Sequence, residues 1–125
     1  MLNGVCVGTN DLKAAGAFYD DVLATIGMAR LAEDEVEIGY GPPGGVASFW
    51  VLTPFNKGPA TVGNGVQFMF AAPSQDGVHA FYKAALAAGG ADEGRPSPRS
   101  YSAGYYGAYY RDLDGNKLHV SYVSV

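Results

Sequence analysis

Apolar positions change period along this chain, and the changes mark out short elements. Residues 2–8 form a short apolar run, Leu2-Asn3-Gly4-Val5-Cys6-Val7-Gly8, which reads as a strand. Beyond it Leu12, Ala15, Tyr19, Val22, Leu23 and Ile26 recur at steps of three and four, the spacing of one helix face. Thr9 or Asn10 is placed to cap that helix, Asp11 suits its positive end, and Gly27 supplies a left-handed stop. Short strands are predicted near 28–33, 35–41 and 46–53, with Gly41-Pro42-Pro43-Gly44-Gly45 turning between the last two. The pattern then starts again. An apolar run at 65–72 precedes a helix from Ser74, after Pro73, through Val78, Phe81, Tyr82, Ala85 and Leu86 to Gly89 or Gly90. A looser stretch at 91–104, holding Gly94, Pro96 and Pro98, leads to strands at 105–110 and 117–123 joined by the turn Asp112-Leu113-Asp114-Gly115-Asn116.

The second pass is a copy of the first. Phe18, Tyr19, Leu23, Ala24 and Gly27 match Phe81, Tyr82, Leu86, Ala87 and Gly90, each at the 63-residue offset that separates Phe18 from Phe81. Carried back, the same offset lays Val5 on Phe68 and Val7 on Phe70, strand upon strand. The predicted fold is therefore α+β: one domain, 1–125, built from two βαβββ modules at about 1–58 and about 63–125. A ferredoxin-like βαββαβ arrangement has fewer strands after each helix than this chain requires.

Composition narrows the class. Eighteen glycines, nine tyrosines and six phenylalanines fit tight turns around an aromatic-rich sheet. Eight Lys and Arg against twelve Asp and Glu give a net charge of −4, with no basic block to track a nucleic-acid backbone. No apolar run approaches the roughly 18 residues of a membrane span. Met1 to Gly8 lacks a positive leader region and already reads as a strand, so no signal peptide is expected. The single cysteine, Cys6, cannot staple the fold, and a cytoplasmic location is expected.

Asn10-Asp11-Leu12 through Phe18-Tyr19, and Tyr105-Tyr106-Gly107-Ala108 through Asp112-Leu113-Asp114-Gly115-Asn116-Lys117-Leu118, together with the repeat, resemble the vicinal oxygen chelate superfamily. That family includes glyoxalase I, bleomycin- and fosfomycin-resistance proteins and extradiol dioxygenases. Leu113 stands where its last turn commonly has proline. The resemblance implies that each module curls a mixed sheet into half a cup and that two modules enclose a pocket. It also implies where metal ligands would stand: Gly4, roughly Val51, Gln67 and His119. Glycine and valine donate nothing and glutamine is a weak neutral ligand, so a divalent metal cofactor is not expected. The expected function is metal-independent binding of a small organic molecule. The alternative is a lyase (lactoylglutathione lyase-like), isomerase or dioxygenase of the same family, using either atypical metal ligands or His119 as a base. A third reading is a structural or regulatory subunit. The resemblance further implies a homodimer, with modules paired within or between chains.

Strand alternation sorts the candidate residues. Lys117, His119 and Ser121 share one face of the last strand, opposite Leu118, Val120 and Tyr122. Gln67 and Met69 fall opposite Val66, Phe68 and Phe70, and Gly4, Cys6 and Gly8 opposite Val5 and Val7. If the apolar sets pack on the helices, then Gln67, Met69, Lys117, His119, Ser121 and Cys6 line the cup. His119 is the candidate catalytic side chain, a metal-free base or a hydrogen-bond partner for substrate, weighed against a histidine that only satisfies a polar neighbour. Cys6 reads as a small buried thiol, since a nucleophile needs a cationic neighbour. Tyr40, Phe49 and Trp50 suit either a flat aromatic ligand or the core. His79, beside the second helical stripe, is expected to face solvent. Arg95 and Arg99 form a possible anion clamp in the Pro/Ser/Gly-rich loop. Gly63-Asn64-Gly65 lacks the lysine and hydroxyl of a phosphate loop, and residues 112–116 lack the spacing of an EF-hand.

Overall fold

In the computed structural model, residues 1–124 are described. The chain runs β1 (Val5–Gly8), α1 (Leu12–Ala24), β2 (Ala29–Glu33), β3 (Glu37–Gly41), β4 (Phe49–Leu52), β5 (Phe68–Ala71), α2 (Gln75–Ala87), β6 (Ala91–Pro98), β7 (Tyr105–Arg111) and β8 (Lys117–Val123). Two four-stranded sheets result, ordered β1-β4-β3-β2 and β5-β8-β7-β6. In each, the first strand lies at an edge, parallel to the last strand of its module, and the other pairings are antiparallel. The repeat seen in the sequence is a repeat of topology.

Both helices have 13 residues and both start on a side-chain cap. The first cap is Asp11, not Thr9 or Asn10: its carboxylate accepts from the Ala14 amide at 3.0 Å. Asn10 is used instead to hold the segment between modules, exchanging hydrogen bonds with the Ala60 backbone. Ser74 caps α2 through the Gly77 amide. Gly27, at φ +80°, takes the left-handed conformation expected of it.

The stretch at 91–104, read as loose, contains a strand. β6 pairs with β7 through two register shifts, between Asp92 and Gly94 and between Gly94 and Ser97. Two prolines are tolerated there because β6 is an edge strand, where a missing N–H leaves no ladder partner unpaired.

Each helix covers one face of its sheet. The core joins Val7, Phe18, Tyr19, Phe49 and Val51 of the first module to Phe81, Ala108, Tyr110 and Leu118 of the second. Phe49 packs on Phe70 at 5.1 Å and Phe18 on Tyr110 at 6.2 Å, so the modules share one aromatic interior. Tyr40 and Phe49 are buried in it, with the Tyr40 hydroxyl donating to the Gly16 carbonyl or Asp20. They are core residues rather than a ligand surface; of that trio only Trp50 stands on the uncovered face. A polar seam reinforces the junction. Tyr19 donates to Asp112 at 2.5 Å, Asn116 Nδ2 donates to the Gly8 carbonyl at 3.0 Å, and the Asn10 amide donates to Asp114 at 2.8 Å.

Candidate functional site

The face of the second sheet turned away from α2 carries the densest chemistry. Strand register lines up Met69, His119 and Tyr109 across β5, β8 and β7. Alternation puts Lys117 and Ser121 on the same face of β8, and Tyr105 and Gly107 on that of β7. Although no helix covers this face, His119 is only 1% exposed. Tyr109 roofs it with ring centroids 4.2 Å apart, and Tyr105 flanks it at 5.8 Å. Gly107 makes room for the imidazole, since a Cβ there would stand 3.0 Å from its Cε1.

His119 Nε2 lies 2.7 Å from the Tyr105 hydroxyl, while Nδ1 is buried without a partner among the described residues. Leaving Nδ1 as a bare lone pair is less costly than leaving it as an unpaired N–H. The network therefore favours the proton on Nε2, with Tyr105 Oη accepting it and its own O–H free to point outward. Burial first, then the charges of Arg99 and Lys117, lowers the His119 pKa to about 4, so the ring is neutral at pH 7.

Two cations frame the roof. The Arg99 guanidinium sits 5.0 Å from the Tyr109 centroid and the Lys117 ammonium 5.2 Å from it. Arg99 is fixed by donating to the Gly107 carbonyl at 3.2 Å and the Arg95 carbonyl at 2.8 Å. Tyr101 and Tyr109 share a hydroxyl–hydroxyl hydrogen bond, and burial followed by that bond pushes the Tyr109 pKa up to about 12. The cluster thus gathers three tyrosine hydroxyls and a neutral imidazole beside one guanidinium and one ammonium group.

Met69 (67% exposed) stands beside this cluster. Gln67, also exposed, precedes β5 and shares a cleft of about 380 Å³ with Lys117, Arg111 and the 62–66 segment. Cys6 lies on the other sheet, on edge strand β1, and is exposed rather than buried, because alternation turns it to the face that α1 leaves uncovered. Nearby on that face Trp50 lies over Gly39, where a Cβ would come within 2.7 Å of the indole. Arg95 lies outside the cluster, in a cleft beside α2. His79 is exposed, with Nε2 2.7 Å from the Tyr106 hydroxyl. Sequence reasoning passed over Tyr101, Tyr105 and Tyr109. The alternation Tyr105-Gly107-Tyr109 was visible, but only the pairing of β7 with β8 ties it to His119.

The four positions where the resemblance would place metal ligands do not fit a divalent ion. Gly4 is closed to any side chain, since its Cβ would meet the Ser48 carbonyl oxygen at 2.7 Å. Val51 points into the core, 1% exposed. Gln67 is neutral, and His119 Nε2 is engaged by Tyr105. Among the described residues no three His, Cys, Asp or Glu side chains gather into a metal-binding group.

Two βαβββ modules, each with one sheet face left open opposite its helix, define the fold class. The profile of the Glyoxalase/Bleomycin resistance protein/Dioxygenase superfamily matches residues 2–120, and the chain belongs to that superfamily. A crystal structure of a glyoxalase/bleomycin resistance protein from Albidiferax ferrireducens T118 is 39% identical, with a TM-score of 0.87 over 98% of both chains. Lactoylglutathione lyase from Agrobacterium tumefaciens shares the fold at 20% identity and TM-score 0.69, over 98% of this chain and 92% of that one. The fosfomycin resistance protein FosX from Listeria monocytogenes shares it at 14% and 0.72, over 100% and 94%. Comparison with functionally curated proteins gave no match. No helix among the described residues is long and apolar enough to cross a membrane.

Proposed function

We propose that this protein binds a small organic molecule on the open face of its second sheet, without a metal. The observation that carries this reading is the buried, neutral His119 behind Tyr105 and Tyr109, flanked by Arg99 and Lys117. Such a surface suits a ligand with a flat apolar part, laid against the tyrosines, and a carbonyl or anionic oxygen. That oxygen would accept from the Tyr105 hydroxyl and lie near the two cations. His119 does not reach the ligand in this arrangement; it positions Tyr105.

The Tyr105–His119 pair also supports a second reading, metal-free acid–base catalysis in the manner of a lyase or isomerase, with Tyr105 as the group that meets substrate. A homodimer completes the proposal. Each chain leaves both sheet faces opposite the helices uncovered, and Leu2 (83%), Val66 (52%) and Met69 (67%) are exposed along the edge strands β1 and β5 or their approaches. A second copy closes the cup and covers these edges. The setting is cytoplasmic, in keeping with one unpaired thiol.

A thermal-shift screen of aromatic and 2-oxo acids tests the binding. Hits should lose most of their stabilising effect in Tyr109→Ala and Lys117→Ala. A screen without hits, or hits indifferent to both substitutions, would remove the reading. For any compound turned over, Tyr105→Phe should abolish activity if the second reading holds. Light scattering at micromolar concentration should give twice the chain mass.

A further inference from the structure

A second cleft, of about 680 Å³, lies on the opposite side of the second sheet, between α2 and the edge strand β6. Its volume is in the range of small-ligand sites, roughly 300–1,000 Å³. Three of the chain's eight Lys and Arg line it, namely Lys83, Arg95 and Arg99, and so does His79, one of two histidines. In a chain of net charge −4 that is a strong local concentration of positive charge. Tyr82 and Ser97 add hydroxyls to the wall.

Two of the acids near the cleft, Asp92 and Glu93, have partners of their own, and Asp76 stands in the first turn of α2. Asp92 accepts from the Tyr82 hydroxyl at 2.9 Å and the Gly94 amide at 2.8 Å, and Glu93 is paired with Arg111 at 2.8 Å. Among the described residues neither Lys83 nor Arg95 forms an ion pair. His79 is braced by Tyr106, through Nε2 and through ring contact at 5.6 Å, and Nδ1 has no hydrogen-bond partner among the described residues. The register shifts between Asp92 and Ser97 break the regular pairing of β6 where Arg95 lies. Three cations without a direct ion pair among the described residues, a braced imidazole and hydroxyls converge on one concavity, with the Asp92 carboxylate close to Arg95.

We infer that this cleft is a binding site for a small organic polyanion, one bearing a phosphoryl group or paired carboxylates. Lys83 and Arg95 would supply charge-assisted hydrogen bonds, and His79 and Ser97 would fix orientation. The site is separate from the His119 face and does not rest on the function proposed for that face. Only Arg99 touches both, because it lines the cleft and also stacks on Tyr109.

Pyrophosphate and citrate, each titrated at constant ionic strength against chloride, are the probes. Calorimetry with backbone amide NMR should show saturable binding of at least one of them, one per chain, with the largest shifts at residues 79–83 and 94–99. Binding of pyrophosphate alone assigns the phosphoryl class, and of citrate alone the polycarboxylate class. Lys83→Ala with Arg95→Ala should weaken the binding by about tenfold or more. Both side chains are exposed, so the anion-free melting temperature should stay unchanged. No saturable binding of either probe, undiminished binding by the double variant, or shifts centred on Tyr105 and Tyr109 would overturn the inference. Failure here leaves the ligand screen on the other face unaffected.

Discussion

His119 is a base held away from water, and its titration links the site to the stability of the fold. Its pKa falls from 6.5 to about 4 on folding, chiefly through burial. Between these values the unfolded chain binds more protons than the native one, so stability rises with pH across that window and is lost as pH falls through it. At about 1.4 kcal/mol per pH unit, the loss from pH 6.5 to 4 is on the order of 3 kcal/mol. Urea unfolding followed across that range should show the decline. His119→Gln, which keeps a donor for Tyr105 but does not titrate, should flatten it; parallel curves would show that the ring is not the group responsible. Trp50 gives a second handle as the only tryptophan of the chain. Gly39→Ala places a methyl where the indole lies 2.7 Å away, so the indole must move and its fluorescence maximum should shift. An unchanged spectrum would mean that the backbone of β3 yields instead.

At the level of elements, the helices are fixed by their first residues as much as by their apolar faces. Asp11→Ala and Ser74→Ala each remove a side-chain acceptor from a first-turn amide. Each should lower stability by about 1 kcal/mol in denaturant unfolding, whereas Thr25, at the other end of α1, offers no comparable cap to an amide. The two helices, the β7–β8 turn and the duplicated plan are all legible in the sequence because they rest on local spacing and on a repeat. The choice of Asp11 over Asn10 is not, since Asn10 is claimed by Ala60, 50 residues away. β6 was hidden by its prolines, which signal a loop unless one knows that the strand lies at an edge. Gln67 lies before β5, whereas the shared face of Lys117, His119 and Ser121 on β8, and Met69 beside it on β5, follow from alternation. Their tyrosine surroundings need strand register, which no local pattern supplies.

Across the whole molecule, the polar seam couples the modules. Asp112 is buried and accepts from Tyr19, from Asn116 and from the Asp114 amide; burial still raises its pKa from the ordinary value. Because its folded pKa is raised, Asp112 favours folding most when protonated, and that contribution falls as pH rises through its titration. Tyr19→Phe removes one donor that opposes the shift. The variant should therefore lose roughly 1.5–3 kcal/mol at pH 7, and less at pH 3, where the carboxyl is protonated. Equal losses at both pH values would mean that the tyrosine acts by packing alone. The division into two sheets also sets an order of events during synthesis. Every pairing of the first sheet lies within residues 5–52, and every pairing of the second within 68–123. A growing chain can thus complete one hydrogen-bonded ladder before the residues of the other have left the ribosome. What must wait is the flank of α1 and β4 that later meets Phe70 and Tyr110. For the interval of translation between Leu52 and Tyr110 the nascent half carries an uncovered aromatic surface, the stretch during which a chaperone has something to hold.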